Sequence, residues 1–449
     1  MADQSFFVQW TSAPGTESVT SVRLTDGDAA KPIVVMLHGT GGTIGDFSNP
    51  ATSRPFNFDF RASFPPDRDE GWHWYPGLTA WSFELDPFKA VQGWEPFLRA
   101  AGFRTANYTQ VDATGVLARP AVELAAVARE LIRRFPDARL AFLAHSRGGV
   151  LVRKFLKDFA TDAAFAGHIW KVITLATPHQ GTEVANHTLT LRSLISALRV
   201  AYGPIIDLAF APFVAVLNQP ANQEFAVGSA FLTNLAQDEH AFAGATYHTF
   251  AGTSPLLTRV LAWNFTVGSA FPQWHAPPFH WTISLGETLV SPVLNSLPNL
   301  FAEITEGEGD TIAANVRAHL PFSATRTANP INHWEHLWDP ALQSQVRALL
   351  DEVPPPGPRR VRCINKAHRQ SGDTHIQAVG GMNAAGGRWR LSQPDVISRI
   401  EHGESFYVEE PAGDRVAIVV ALSPAGHKYI KTVADGDVPN NLLALPECP

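Results

Sequence analysis

Leu140-Ala141-Phe142-Leu143-Ala144-His145-Ser146-Arg147-Gly148-Gly149-Val150-Leu151-Val152-Arg153-Lys154-Phe155-Leu156 is the stretch that decides the fold. Arg139 to Ala144 reads as a short buried strand, and from Val150 onward the apolar residues recur at helical spacing. Ser146 therefore falls at a strand-to-helix corner. A serine hydroxyl is a weak nucleophile unless the chain exposes it on a sharp turn and sets a base beside it. The pattern small-x-Ser-x-Gly supplies such a turn. The start of the following helix offers free N–H groups and the positive end of its dipole. Ala144 stands where the pattern usually carries glycine, and a single methyl is the least intrusive replacement. Gly148 and Gly149 leave room for the helix to pack close to the strand.

Outward from this corner, strands and helices alternate. Phe6 to Trp10 and Ser18 to Leu24 read as short strands. Lys31 to Gly39 is an apolar strand that ends at His38-Gly39, with the flexible turn Thr40-Gly41-Gly42-Thr43 behind it. A helix is expected from Trp94 to a stop at Gly102, a strand from Phe103 to Gln110, and a helix from Arg119 to Phe135. Trp170 to Ala176 and Tyr247 to Gly252 are further strands, and Leu342 to Leu350 is a further helix. This spacing predicts an α/β fold: a mostly parallel sheet with helices on both faces. Residues 187–245 and 255–300 interrupt it. They are long, apolar and nearly uncharged, and Thr188 to Pro220 carries only Arg192, Arg199 and Asp207 as charges. Insertions of that length predict a cap or lid. Leu191, Leu194, Ile195, Leu198 and Tyr202 share one helical face of it.

Val353-Pro354-Pro355-Pro356-Gly357-Pro358 marks a boundary, since such a run favours stiff polyproline II. The expected division is 1–352 for the α/β domain, 353–359 for a linker and 360–449 for a small α+β domain. Strands are expected there at 376–379, 406–409, 415–422 and 429–432, and a helix at 393–401.

The 449 residues, 45% of them hydrophobic, are enough for a large core and two domains. A net charge of −7 without any Lys/Arg run argues against nucleic-acid binding. No segment reads as a membrane span; Val200 to Leu217 is broken by Gly203, Pro204, Asp207 and Pro212. Met1-Ala2-Asp3-Gln4-Ser5 lacks a basic n-region and an apolar h-region, so the expected location is the cytoplasm, although a trimmed secretion signal would leave the same start. The histidines show no metal-ligand spacing, and no metal or cofactor is expected. Cys363 and Cys448 are the two cysteines; they suit one bridge or a reduced pair equally.

A nucleophilic serine needs a base, and the base needs an orienting carboxylate. Glu306-Gly307-Glu308-Gly309-Asp310-Thr311-Ile312 offers an acid in a glycine-rich loop, with Glu183, Glu303, Glu306 and Glu308 as competitors. Ile331-Asn332-His333-Trp334-Glu335-His336-Leu337 offers His333 on a loop before a helix, with His336 as its competitor. The backbone N–H of Arg147 and that of a residue after Gly39, most simply Thr40, would bind a developing oxyanion. Trp72, Trp74, Tyr75, Trp81, Phe83 and Trp94 crowd one region, where they would either line a cleft or pin an insertion.

Together these pieces resemble an α/β-hydrolase of the lipase and carboxylesterase kind. The matching residues are His38-Gly39-Thr40-Gly41-Gly42, Ala144 to Gly149, Leu175-Ala176-Thr177-Pro178-His179-Gln180-Gly181-Thr182, Gly309-Asp310-Thr311-Ile312 and Asn332-His333, in that family's order over about 30–350. The resemblance implies Ser146 as nucleophile, Asp310 as acid and His333 as base. It implies hydrolysis of a carboxylic ester with an apolar acyl group, as in a lipase or long-chain esterase. Trp72, Trp74, Trp81, Leu194 and Leu198 are the expected substrate contacts, and the partner is an ester or lipid-like small molecule. Acyl transfer and polyester hydrolysis use the same triad; a binding protein on a degenerate hydrolase fold would lack one of its members. Residues 360–449 resemble a bacterial domain family of unknown function through Arg362-Cys363-Ile364-Asn365-Lys366, Gly380-Gly381, Trp389, Lys428-Tyr429 and Asn441 to Cys448. The resemblance transfers no activity.

Overall fold

The computed structural model describes residues 3–13, 15–50, 91–162, 164–202, 220–242, 244–255, 302–305, 307–354, 357–367, 376–382, 387–402, 404–409, 415–433 and 442–449. Among them, eight strands form one sheet: β1 (Gln4–Thr11), β2 (Glu17–Leu24), β3 (Ile33–Leu37), β4 (Arg104–Tyr108), β5 (Leu140–His145), β6 (Ile169–Leu175), β7 (Thr246–Gly252) and β8 (Thr325–Asn329), in the order β1-β2-β4-β3-β5-β6-β7-β8. The β1–β2 and β2–β4 pairs are antiparallel, and every pair from β4 to β8 is parallel.

Burial follows the pairing. All residues of β3, β4, β5 and β6 are buried; β3 and most of β5 and β6 are accordingly continuous apolar runs, while β4, Arg-Thr-Ala-Asn-Tyr, buries polar side chains among them. At the sheet edge β1 alternates, with Phe6, Val8 and Trp10 inward and Phe7 outward. Two helices pack together over the sheet: α2 (Ala118–Arg134), with one apolar stripe inward, and α3 (Arg147–Asp158), buried on every side from Arg147 to Arg153. On the other side α1 (Trp94–Ala100) meets α5 (Pro340–Leu350). Asp339 caps α5, its carboxylate accepting from Leu342 N at 2.8 Å, and Pro340 opens the first turn. The expected elements from β1 to β7 are all present within two or three residues of their ends. β8, Thr-Arg-Thr-Ala-Asn, has no sequence signal because it is a polar edge strand.

Of the expected cap, α4 (Thr188–Tyr202) is described, with Leu191 and Ile195 buried and Leu189 and Val200 exposed. Residues 203–219 and 256–301 lie outside the described residues.

The C-terminal chain forms a small β-rich domain. One sheet has three strands, β10 (Cys363–Lys366), β11 (Ile376–Met382) and β12 (Arg388–Ser392). The other runs β15-β14-β13-β9, with β9 (Arg359–Arg360), β13 (Phe406–Glu409), β14 (Arg415–Leu422) and β15 (Lys428–Thr432). Helix α6 (Gln393–Glu401) is capped by Ser392, whose hydroxyl accepts from Asp395 N. Val361, Ile364, Val379, Val396, Phe406 and Ile430 make a core distinct from that of the large sheet. Cys363 and Cys448 are bridged. This domain meets the large one where β5 and β6 begin: Arg415 Nη1 donates to His168 Nε2 at 2.9 Å, and Ser405 lies so close to Gly167 that a Cβ there would stand 2.3 Å from its hydroxyl.

Candidate active site

Ser146 follows β5 and precedes the first residue of α3. Its backbone stands at φ 55° and ψ −127°, a left-handed conformation that costs a non-glycine residue on the order of 1–3 kcal/mol. Its surroundings hold it there. Ser146 N donates to Leu175 O at 2.8 Å, and Thr177 Oγ1 donates to Ser146 O at 3.0 Å. Ala176, at the end of the neighbouring strand, is also left-handed at φ 52°. The glycines expected to give room do so. A Cβ on Gly148 would sit 2.4 Å from Leu37 O, and one on Gly149 would sit 2.1 Å from Thr177 Oγ1. On the facing loop, a Cβ on Gly39 would sit 2.9 Å from Ser146 Cβ.

Asp310 and His333 come together across a separation of 23 residues. His333 Nδ1 donates to Asp310 Oδ2 at 3.1 Å, and His333 N donates to Asp310 O at 2.9 Å. The other carboxylate oxygen accepts from Ile312 N at 2.9 Å and Ala313 N at 2.7 Å. Burial pushes the Asp310 carboxyl up, to about 7, against the pull of His336 and these N–H groups. In the tautomer with Nδ1 donating to the carboxylate, the acceptor lone pair of the His333 ring is on Nε2.

The loop carrying His333 is built by a reciprocal pair. Asn332 Oδ1 accepts from Trp334 N and Glu335 N, while Glu335 Oε2 accepts from Asn332 N at 2.7 Å, a variant of the capping box. Trp94 Nε1 donates to His336 O at 2.8 Å, so this aromatic residue supports the His333 loop. His145 holds the loop from the Ser146 side. Its Nε2 donates to His333 O at 2.9 Å, and the two rings lie 4.8 Å apart.

The competing residues have other partners. Glu303 is fully buried and takes Arg317 Nη2 on both oxygens at 2.7 Å, and it also accepts from Glu183 N at 3.0 Å. His336 Nδ1 donates to Asn332 O at 3.0 Å, and burial pushes this ring down to about 4. Glu308 is exposed; Glu306 lies outside the described residues.

The strand order, the strained serine after β5, the acid loop between β7 and β8 and the histidine after β8 are now in place. The fold is that of an α/β-hydrolase. Residues 360–446 match a family described as "Protein of unknown function (DUF3892)". No curated protein matches the chain by sequence. Among solved structures the chain is similar to the Bacillus licheniformis lipase BlEst2 in mature form, at 15% identity over 77% of this chain and 98% of that one, TM-score 0.41. It is similar to the esterase RhEst1 from Rhodococcus sp. ECU1013, at 12% identity over 79% of this chain and 100% of that one, TM-score 0.36. The metagenomic carboxyl esterase MGS0156 aligns at 14% identity over 73% and 78% of the two chains, TM-score 0.38.

On the hydrolase fold, Thr40, Ser146 and Arg147 line one pocket with Pro178, Ala221, Phe225 and Ile312. Arg147 is the first residue of α3, so its N–H has no acceptor within the helix. Its side chain is turned away and wholly buried. Of the expected substrate contacts, Trp72, Trp74 and Trp81 lie outside the described residues, as do Tyr75 and Phe83. Leu194 and Leu198 lie on α4, and their side chains fall outside the described residues. Among the described residues no cluster of His, Cys, Asp and Glu suits a metal, and no helix is long and apolar enough to cross a membrane.

Proposed function

We propose that the chain hydrolyses carboxylic esters through an acyl-enzyme on Ser146. The observation that carries this reading is the His333–Asp310 pair, held at 3.1 Å beside the residue that precedes a strained serine. His333 Nε2 takes the Ser146 hydroxyl proton as Oγ attacks the ester carbonyl, forming a C–O bond and an oxyanion. The Thr40 and Arg147 N–H groups receive that oxyanion. Collapse breaks the bond to the alkoxy group, which takes the proton back from His333 and leaves as the alcohol. Water then attacks the acyl-enzyme with His333 as base, releasing the acid. Asp310 keeps the ring in the Nδ1–H tautomer and stabilises the imidazolium.

The substrate is an uncharged, apolar acyl ester. Pro178, Ala221, Phe225 and Ile312 in the pocket offer apolar surface to a chain. A series of p-nitrophenyl esters from acetate to palmitate, assayed on wild type and Ser146→Ala, tests both parts. Turnover should rise with chain length and fall by about 10⁴ to 10⁶ in the variant. Activity confined to acetate removes the long-chain reading; near-wild-type activity in Ser146→Ala removes the mechanism.

A further inference from the structure

The two proposed oxyanion donors sit on different elements, Thr40 on the turn after β3 and Arg147 at the start of α3. Nothing covalent nearby fixes their spacing, yet donors must stand 2.7–3.1 Å from the oxyanion to act. β3 and β5 pair directly as far as Leu37 and Ala144, and beyond that pairing the loop after β4 bonds to both elements. The buried Gln110 side chain accepts from the Arg147 guanidinium through Oε1 and donates through Nε2 to His38 O at 3.1 Å. Its backbone N donates to His38 Nε2 at 3.0 Å, which leaves His38 Nδ1 to donate to Gly39 O at 2.9 Å. The rest of the loop is tied down at both ends. Arg147 Nη2 donates to Asp112 O at 3.0 Å and Gly115 O at 2.7 Å, and Gly41 N donates to Ala113 O at 2.9 Å.

We propose that Gln110 is a positioning residue for the oxyanion hole, its amide bridging the Arg147 side chain to the His38–Gly39 backbone and so setting the distance between the Thr40 and Arg147 N–H groups. The inference rests on the ester-hydrolase reading above. Arg147 then works at both ends, by its N–H toward substrate and by its guanidinium toward the loop that carries the second donor. The guanidinium, buried against the loop after β4, bonds to Gln110, Asp112 O and Gly115 O.

The test uses the full chain. Gln110→Met keeps the volume and removes both side-chain hydrogen bonds; Gln110→Glu keeps the acceptor for Arg147 and removes the donor to His38 O. For each, kcat and KM are measured on one ester, together with the Ki of a boronic acid carrying the same acyl chain. Fluorophosphonate labelling of Ser146 in wild type is the control. Both variants should lose 10- to 100-fold in kcat, keep KM within about 3-fold, and weaken the boronic acid in proportion to kcat/KM, Gln110→Glu less than Gln110→Met. Unchanged kcat and Ki in a labelled, folded variant overturns the inference alone. A variant with lower thermal stability but wild-type kcat per labelled site does the same, since Gln110 would then only support the fold. Absence of both labelling and ester turnover in wild type overturns the hydrolase reading and this inference with it. If Gln110→Met does not fold, Gln110→Glu decides.

Discussion

The imidazole of His145 lies 4.8 Å from that of His333 and donates a hydrogen bond to the His333 carbonyl at 2.9 Å. The residue before the proposed nucleophile therefore grips the proposed base. His145 is wholly buried, which pushes its pKa well below the usual histidine range, so the ring stays neutral while charge develops on its neighbour. His145→Phe keeps an aromatic ring against His333 and removes the hydrogen bond. We expect kcat to fall about 10-fold with little change in KM. Stopped-flow or steady-state kinetics on a soluble ester will read this; a wild-type kcat would show that the contact only packs.

Asp310 and Glu303 are both buried acids of one loop region, and they should fail differently. Asp310→Asn removes the partner that fixes the His333 tautomer, so kcat should drop by about 10⁴ without a loss of thermal stability. Glu303→Gln breaks a buried pair with Arg317 and should cost about 3–5 kcal/mol of stability, with kcat of the folded protein largely kept. Thermal melts paired with kinetics separate the two. The opposite pattern would transfer the acid role to Glu303.

Strain at Ser146 predicts a stability difference between two inactive variants. Both Ser146→Ala and Ser146→Gly lack the hydroxyl, but only glycine is at ease at φ 55°. Ser146→Gly should be more stable than Ser146→Ala by about 1 kcal/mol. Equal unfolding midpoints in urea would mean that the corner stores no strain.

Stability should fall on acidification from pH 7 to 5. Burial lowers the pKa of His145, His168, His179, His248, His319 and His336, to about 3 for His168 and about 4 for His248 and His336. Each is neutral when folded and binds a proton on unfolding below about 6.5, so its contribution is present above that pH and is lost as pH falls toward the folded value. Asp310 and Glu123, pushed up to about 7, and Glu224, also raised, act in the opposite sense: they hold protons when folded and weaken the fold as pH rises above about 4. Six groups act in the first sense and three in the second, so stability should fall between pH 7 and 5. Urea melts at both values check the sign; a flat or inverted profile would mean that the carboxyls dominate.

The bridge between Cys363 and Cys448 closes a loop of sequence separation 85, which in a chain-entropy account stabilises by about 4–5 kcal/mol. Calorimetry with and without reductant should show the C-terminal domain melting earlier when reduced. Its contact through Arg415 and His168 lies where β5 and β6 begin, the end of the sheet away from Ser146. Ester turnover should therefore survive reduction. Activity lost in step with the disulfide would show that the domain reaches the site.

Local pattern was enough for much of this protein. Apolar runs with period 2 or none, helical stripes, and the glycines after Ser146 dictate the strands, the helices and the corner between them, because each depends on neighbours within a turn or two of chain. The expected order serine, acid, histidine came instead from resemblance to a known fold, since residues far apart in the chain carry it. Resemblance singled out Asp310 and His333, but only tertiary structure shows them paired, since Asp310 and Glu303 or His333 and His336 differ in sequence by little and in partners by everything. Tertiary structure also decided that β8, polar along its length, joins the sheet, because an edge strand is held by backbone pairing with β7 rather than by apolar side chains. The inward turn of Arg147 onto Gln110 was equally invisible: the two residues are 37 apart in the chain, and a buried guanidinium is stable only where folding brings it its acceptors.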